Sequence, residues 1–249
     1  MSARTRQRSN PARLSPLSAL FPPSVAVAEL QWQVTAEAFT LEPSALALLS
    51  KREWESIRTC AESRVRDFYA GRLCAHLALA QLGVTDFDLL AGPDRQPLWP
   101  AGFTGSITHT EGFSAAVVAR CCRVVGLGID VERISAVHPD LWPTISSPGE
   151  LERLRSLPAG VQLIAAALIF VAKEAFFKCQ YPLAGERFDF GEVQVDGADW
   201  ESDSGDFQLN WRTPSKLDGL VPASAHGRLS GRFQRREQFL IAGVTLAAP

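Results

Sequence analysis

The sequence predicts an α+β protein made of two similar halves. Three observations predict it. Segments with strand and helix periodicity follow the order strand, long helix, strands, and that order then repeats along the 249 residues. Residues 163–172 are apolar all round, as in a helix buried inside a core. The composition, 46% hydrophobic and 21% charged, is that of a globular chain, and the length suits one large domain or two smaller ones with a substantial core.

Residues 1–23 read as a disordered basic tail with Arg4, Arg6, Arg8 and Arg13. A transit peptide is the other reading, but Pro16, Pro22 and Pro23 interrupt any apolar stretch. The first half is expected over 24–123 and the second over 124–249, joined near 121–126. Residues 25–34 alternate well enough for a strand, and Glu42-Pro43-Ser44 opens a helical region. A long helix is predicted over 50–82, ended by Gly83 and bearing Arg58, Arg64, Arg66 and Arg72.

Residues 92–97 are turn chemistry. Two strands, 105–110 and 113–119, flank Glu111-Gly112, and a third covers 124–132. Gly126 and Gly128 in that strand mark a close approach of backbone or ligand. Residues 139–147 read as loop or short helix, and Ser147 as the cap of the charged segment after it. The apolar helix is expected over 163–181 with Pro182 as its stop. Strands follow over 188–195, 207–211, 228–233 and 239–246.

Net charge is −2, which implies neither a nucleic-acid nor a membrane partner. The apolar run 163–172 is too short to span a bilayer. Five cysteines without a CxxC pattern read as reduced thiols in a cytoplasmic protein.

Asp130 and Glu132 stand i,i+2 on a strand, so both leave one face. Two such carboxylates repel unless a cation lies between them, and oxygen donors without His or Cys favour Mg²⁺ or Ca²⁺. Two solvated acids at a strand end fit the same spacing. Glu174 and Lys178 share a face at the end of the apolar helix, either as a surface ion pair or as a site. Glu174 could add a third carboxylate. Arg64, Arg72, Arg95 and His109 could form a phosphate pocket, since the planar guanidinium suits phosphate oxygens. Ser106 or Cys122 could be imagined as a nucleophile, but no GxSxG elbow supports a hydrolase, and no P-loop or GxGxxG is present.

Five stretches together resemble the 4′-phosphopantetheinyl transferases of the two-lobed type that serve surfactin and enterobactin synthetases. They are Gly71-Arg72-Leu73-Cys74-Ala75, Arg95-Gln96-Pro97-Leu98-Trp99-Pro100, Gly105-Ser106-Ile107-Thr108-His109, the run from Gly126 to Glu132, and Lys173-Glu174-Ala175-Phe176-Phe177-Lys178. They occur in the family's order over residues 64–182.

The resemblance implies two lobes related by pseudo-two-fold symmetry, each a small sheet packed on a long helix, with the active site in the cleft between them. It implies transfer of phosphopantetheine from coenzyme A to a serine of an acyl or peptidyl carrier protein, with release of adenosine 3′,5′-bisphosphate, by a monomer. Mg²⁺ would be held by Asp130, Glu132 and Glu174. Coenzyme A would be met by Arg64, Arg72, Arg95, Thr108, His109, Lys178 and Lys173, and the catalytic residues would be Glu174 and Lys178. The stretch before Lys173 departs from the family, reading Phe170-Val171-Ala172 where the surfactin type carries Trp, and Val131 between the two acids is a second departure. A Mg²⁺-dependent phosphodiesterase and a non-catalytic coenzyme A-binding protein are the rival readings.

Overall fold

The structure is a computed structural model and describes residues 15–32, 49–58, 60–211, 215–221 and 226–248. The helical region expected around Glu42 and the tail before Ser15 lie outside these residues. Two antiparallel sheets form the frame. The first holds β1 (Ala26–Gln31), β2 (Phe103–Thr110) and β3 (Phe113–Arg120) in the order β1-β3-β2. The second holds β4 (Val124–Arg133), β5 (Val193–Asp196), β6 (Ser204–Trp211), β7 (Arg228–Arg236) and β8 (Phe239–Ala247) in the order β4-β8-β7-β6-β5. Glu111-Gly112 closes the β2–β3 hairpin, with Thr110 opposite Phe113 and Gly112 at φ 87°.

The two sheets face each other. Along β3, Phe113, Ala115, Val117 and Ala119 pack with Leu127, Ile129 and Val131 of β4 and with Phe239 and Ile241 of β8. The alternate residues Ala116 and Val118 turn to the outer helix. The N-terminal segment seals this inter-sheet core. Pro16–Leu20 forms a 3-10 turn, and Leu17, Leu20 and Phe21 are buried there. The expected tail therefore overreaches at its end, because 15–23 carries apolar side chains that the core takes up.

The helix expected over 50–82 is two helices, α1 (Lys51–Glu55) and α2 (Glu62–Gln81). The reason is Glu53, which is fully buried and reaches His76 and Arg72 of α2. One continuous helix would hold Glu53 and Arg72 roughly 28 Å apart. α2 lays Cys74, Ala75, Ala78 and Leu79 on the first sheet.

Beyond β4 come α3 (Trp142–Ile145), α4 (Pro148–Ser156) and α5 (Ala159–Ala184). Ser147 caps α4 as expected, in a capping box with Glu150. α5 is longer at both ends than 163–181, and Pro182 lies inside its last turn. A proline so near the end removes one hydrogen bond without breaking the helix. The stop is Gly185 at φ 65°, whose N–H reaches the Tyr181 carbonyl at 2.9 Å. By length and composition α5 could cross a membrane. Here Ala165–Ile169, Val171 and Ala172 are buried in the core that α5 shares with the second sheet.

Candidate active site

The site begins at β4, which among the described residues is an edge strand with its ladder to β8. Leu127, Ile129 and Val131 fill the inter-sheet core. Gly126, Gly128, Asp130 and Glu132 therefore share the opposite face. α5 lies directly on that face. A Cβ placed on Gly128 would stand 1.8 Å from the Ala175 carbonyl oxygen, and one on Gly126 would stand 3.0 Å from that of Cys179. This approach brings Glu174 and Lys178, neighbours of those two residues on α5, to Asp130.

Lys178 Nζ donates to Asp130 Oδ1 at 2.6 Å and to the Ile129 carbonyl at 3.3 Å. Thr108 Oγ1 donates to the same Asp130 oxygen at 3.0 Å. Asp130 Oδ2 is buried without a hydrogen-bond partner. Glu132 accepts from Thr110 Oγ1 at 3.1 Å. Burial first, and the Asp130 charge second, push the Glu132 carboxyl up to about 7. The same two causes raise Glu174, against the opposing pull of Lys178. Three carboxyl groups thus share a region poor in solvent, with one ammonium among them.

Lys178 also lines a cleft of about 930 Å³. Its walls come from α2, the 91–99 loop, β2 and α5, and Arg64, Arg72, Arg95, His109 and Arg187 all line it. Arg72 is buried, lies 4.8 Å over the Phe68 ring, and has Nε 3.9 Å from Glu53 Oε1. Burial lowers it to about 10, so it stays charged at neutral pH. His109 is held below its ordinary value, chiefly by burial. Arg95 adopts φ 63° in the turn where its N–H bonds the Gly92 carbonyl at 2.9 Å.

Of the residues singled out in the sequence, Asp130, Glu132, Glu174 and Lys178 come together, and Arg64, Arg72, Arg95 and His109 line the cleft. Two are placed elsewhere. Lys173 is buried and gives its three protons to Glu150 Oε2 at 2.6 Å, the Phe190 carbonyl at 2.7 Å and the Ile145 carbonyl at 3.0 Å. Thr108 is buried, with its hydroxyl taken up by Asp130, Lys178 and the Val131 N–H. Neither is offered to a ligand in the cleft.

Ser106 is no free nucleophile, since it is buried and accepts from the Ile129 N–H at 3.2 Å. The thiols are unpaired, with Cys74 and Cys179 buried and Cys60 and Cys122 exposed. Sequence reasoning missed Thr110, Tyr181 and Arg187. Tyr181 had a readable signal, lying one turn beyond Phe177 on α5. Its hydroxyl lies 3.2 Å from Asp94 of the opposite wall.

Comparison with known proteins gives this geometry a family. Residues 52–119 match the 4′-phosphopantetheinyl transferase N-terminal domain, and residues 126–219 match the 4′-phosphopantetheinyl transferase superfamily. The chain is 33% identical over 226 residues to the 4′-phosphopantetheinyl transferase Svp of Streptomyces mobaraensis, covering 88% of this chain and 87% of that protein. It is 32% identical over 196 residues to Npt of Nocardia iowensis, covering 77% and 86%. It is 34% identical over 209 residues to PptT of Mycobacterium tuberculosis, covering 84% and 79%. These matches mean that the chain belongs to the 4′-phosphopantetheinyl transferase superfamily and is an enzyme of that class.

Proposed function

We propose that this enzyme takes 4′-phosphopantetheine from coenzyme A and places it on a serine of an acyl or peptidyl carrier protein, in the cytoplasm, with Mg²⁺ at Asp130, Glu132 and Glu174. The observation that carries the metal reading is Asp130 Oδ2, a buried carboxylate oxygen without a partner between two acids of raised proton affinity. Among the described residues no three side chains form a ready-made metal cluster. Hard oxygen donors of this kind suit Mg²⁺, whose shell water and substrate phosphate oxygens would complete. When bound, the ion supplies neutralisation of the pyrophosphate charge.

The chain's own residues supply the rest. Arg64, Arg72, Arg95 and Arg187 give the cleft the cationic wall that a nucleotide bearing several phosphates requires. In the reaction the serine oxygen forms a bond to the phosphorus bearing pantetheine. The bond from that phosphorus to the bridging oxygen breaks, and its electron pair leaves with adenosine 3′,5′-bisphosphate. The serine proton passes to the Glu174 carboxylate, whose proton affinity burial and the Asp130 charge raise. Lys178, between the cleft and Asp130, meets the charge that grows on the leaving bisphosphate.

The test is incubation with coenzyme A, Mg²⁺ and an apo carrier protein. A carrier mass gain of one phosphopantetheine is expected. Bisphosphate release without a carrier would replace this reading by the phosphodiesterase. Asp130→Asn is expected to lower the transfer rate by more than about a hundredfold while circular dichroism stays native, since even residues behind a metal ligand cost ~10–100-fold. Wild-type rates in that variant would remove the metal assignment.

A further inference from the structure

β2 and β4 are edge strands of different sheets and lie side by side, yet no main-chain ladder joins them. Two N–H groups of β4 are instead satisfied by β2 side chains. The Ile129 N–H donates to Ser106 Oγ at 3.2 Å, and the Val131 N–H donates to Thr108 Oγ1 at 3.1 Å. Ser106, Thr108 and Thr110 are i, i+2 and i+4 on β2, so their hydroxyls form a row along one face. A hydroxyl has one proton to give and two lone pairs. Thr108 gives its proton to Asp130 Oδ1 at 3.0 Å, and Thr110 gives its own to Glu132 Oε2 at 3.1 Å. The row therefore begins by holding the β4 backbone and ends by holding the two carboxylates.

We propose that this hydroxyl row fixes the spacing of the two β4 carboxylates, and that Thr110 is the positioning residue that turns Glu132 toward the divalent ion. The inference rests on the Mg²⁺ reading given above. Left to themselves, Asp130 and Glu132 repel, and a glutamate side chain has three rotatable bonds by which to turn away. Thr110 tethers one Glu132 oxygen, as Thr108 and Lys178 tether one Asp130 oxygen. The second oxygen of Asp130 has no partner. This is the arrangement by which residues behind metal ligands set ligand geometry and metal affinity.

Three variants test it: Thr110→Val, which keeps shape and loses the proton, Thr110→Ser, which keeps the proton, and Glu132→Gln. The probe is Mn²⁺ in place of Mg²⁺, followed by electron paramagnetic resonance with coenzyme A present, above the protein-free coenzyme A baseline. Thr110→Val is expected to weaken Mn²⁺ binding by about 10–100-fold. Thr110→Ser should bind as the wild type does, and Glu132→Gln should bind at least as weakly as Thr110→Val. The Mg²⁺ concentration for half-maximal transfer should rise in Thr110→Val while KM for the carrier stays put. Should Thr110→Val not fold, Thr110→Ala, which also loses the proton, gives the same readout. Wild-type Mn²⁺ affinity in Thr110→Val beside a weakened Glu132→Gln would overturn the role of Thr110 alone. Wild-type affinity in Glu132→Gln would overturn the metal reading beneath it.

Discussion

Lys173 and Glu174 are neighbours in sequence that face different surroundings. Successive residues on an α-helix point about 100° apart, so the two side chains leave α5 in different directions. Glu174 comes under the influence of Asp130. Lys173 enters the core of the second half, where Glu150 holds it, and Glu150 also accepts from the Ser147 and Val195 N–H groups at 2.7 Å each. Removing one partner of a buried ion pair leaves the other charge stranded, at about 3–5 kcal/mol. Lys173→Met is thus expected to lower Tm by roughly 6–20 °C for a chain of this size, while the folded fraction keeps its KM for coenzyme A. A raised KM at unchanged Tm would place Lys173 in the cleft after all. The carboxylates were legible in the sequence because i,i+2 on a strand admits one geometry. The fate of Lys173 was not, because its partner lies 23 residues back on another helix, and helical spacing says which residues share a face but not what that face meets. Thr108 was illegible in the same way, since only the approach of β4 to β2 shows that its hydroxyl is already taken up.

At the scale of elements, the contact of β4 with α5 decides the site. The sequence showed two glycines on the strand and a buried helix some thirty residues later. Nothing in either periodicity said that one lies on the other. The close approach at Gly128 is to backbone, the Ala175 carbonyl, which cannot rotate aside as a side chain could. Gly128→Ala must therefore push α5 off β4. Overpacking of this kind costs about 1–3 kcal/mol or more, so Tm should fall by at least roughly 2–12 °C. The same displacement moves Glu174 and Lys178 away from Asp130. Transfer by the folded fraction should therefore drop far more than stability alone accounts for, which is read by normalising activity to native circular dichroism. An active, stable Gly128→Ala enzyme would contradict this packing. The break between α1 and α2 teaches a similar lesson. No proline interrupts residues 50–82, and the burial of Glu53 against Arg72 and His76 requires the chain to fold back.

At the scale of the molecule, the cleft is assembled from both family-matched regions, 52–119 and 126–219. Arg64, Arg72, Arg95 and His109 come from the first, and Lys178, Tyr181 and Arg187 from the second. The Tyr181–Asp94 hydrogen bond already ties one wall to the other. A ligand that spans these walls binds the folded protein and not the unfolded chain, so it stabilises by mass action. At a hundred times its Kd the gain is about 2.7 kcal/mol, a Tm rise of roughly 5–11 °C. Coenzyme A with Mg²⁺ should reach this rise, and chelating the metal should take back part of it, because the cationic walls still hold the phosphates. The Lys178→Ala variant separates the two contributions. It removes a cleft cation and at the same time leaves Asp130 Oδ1 with only Thr108 among the residues shown to hold it. Its Tm rise with coenzyme A alone should shrink, while the further increment added by Mg²⁺ should persist, since both β4 carboxylates remain. A Lys178→Ala enzyme whose rise with coenzyme A alone is as large as the wild type's would mean that the ligand's phosphates do not lie against α5, and that the two regions do not share it.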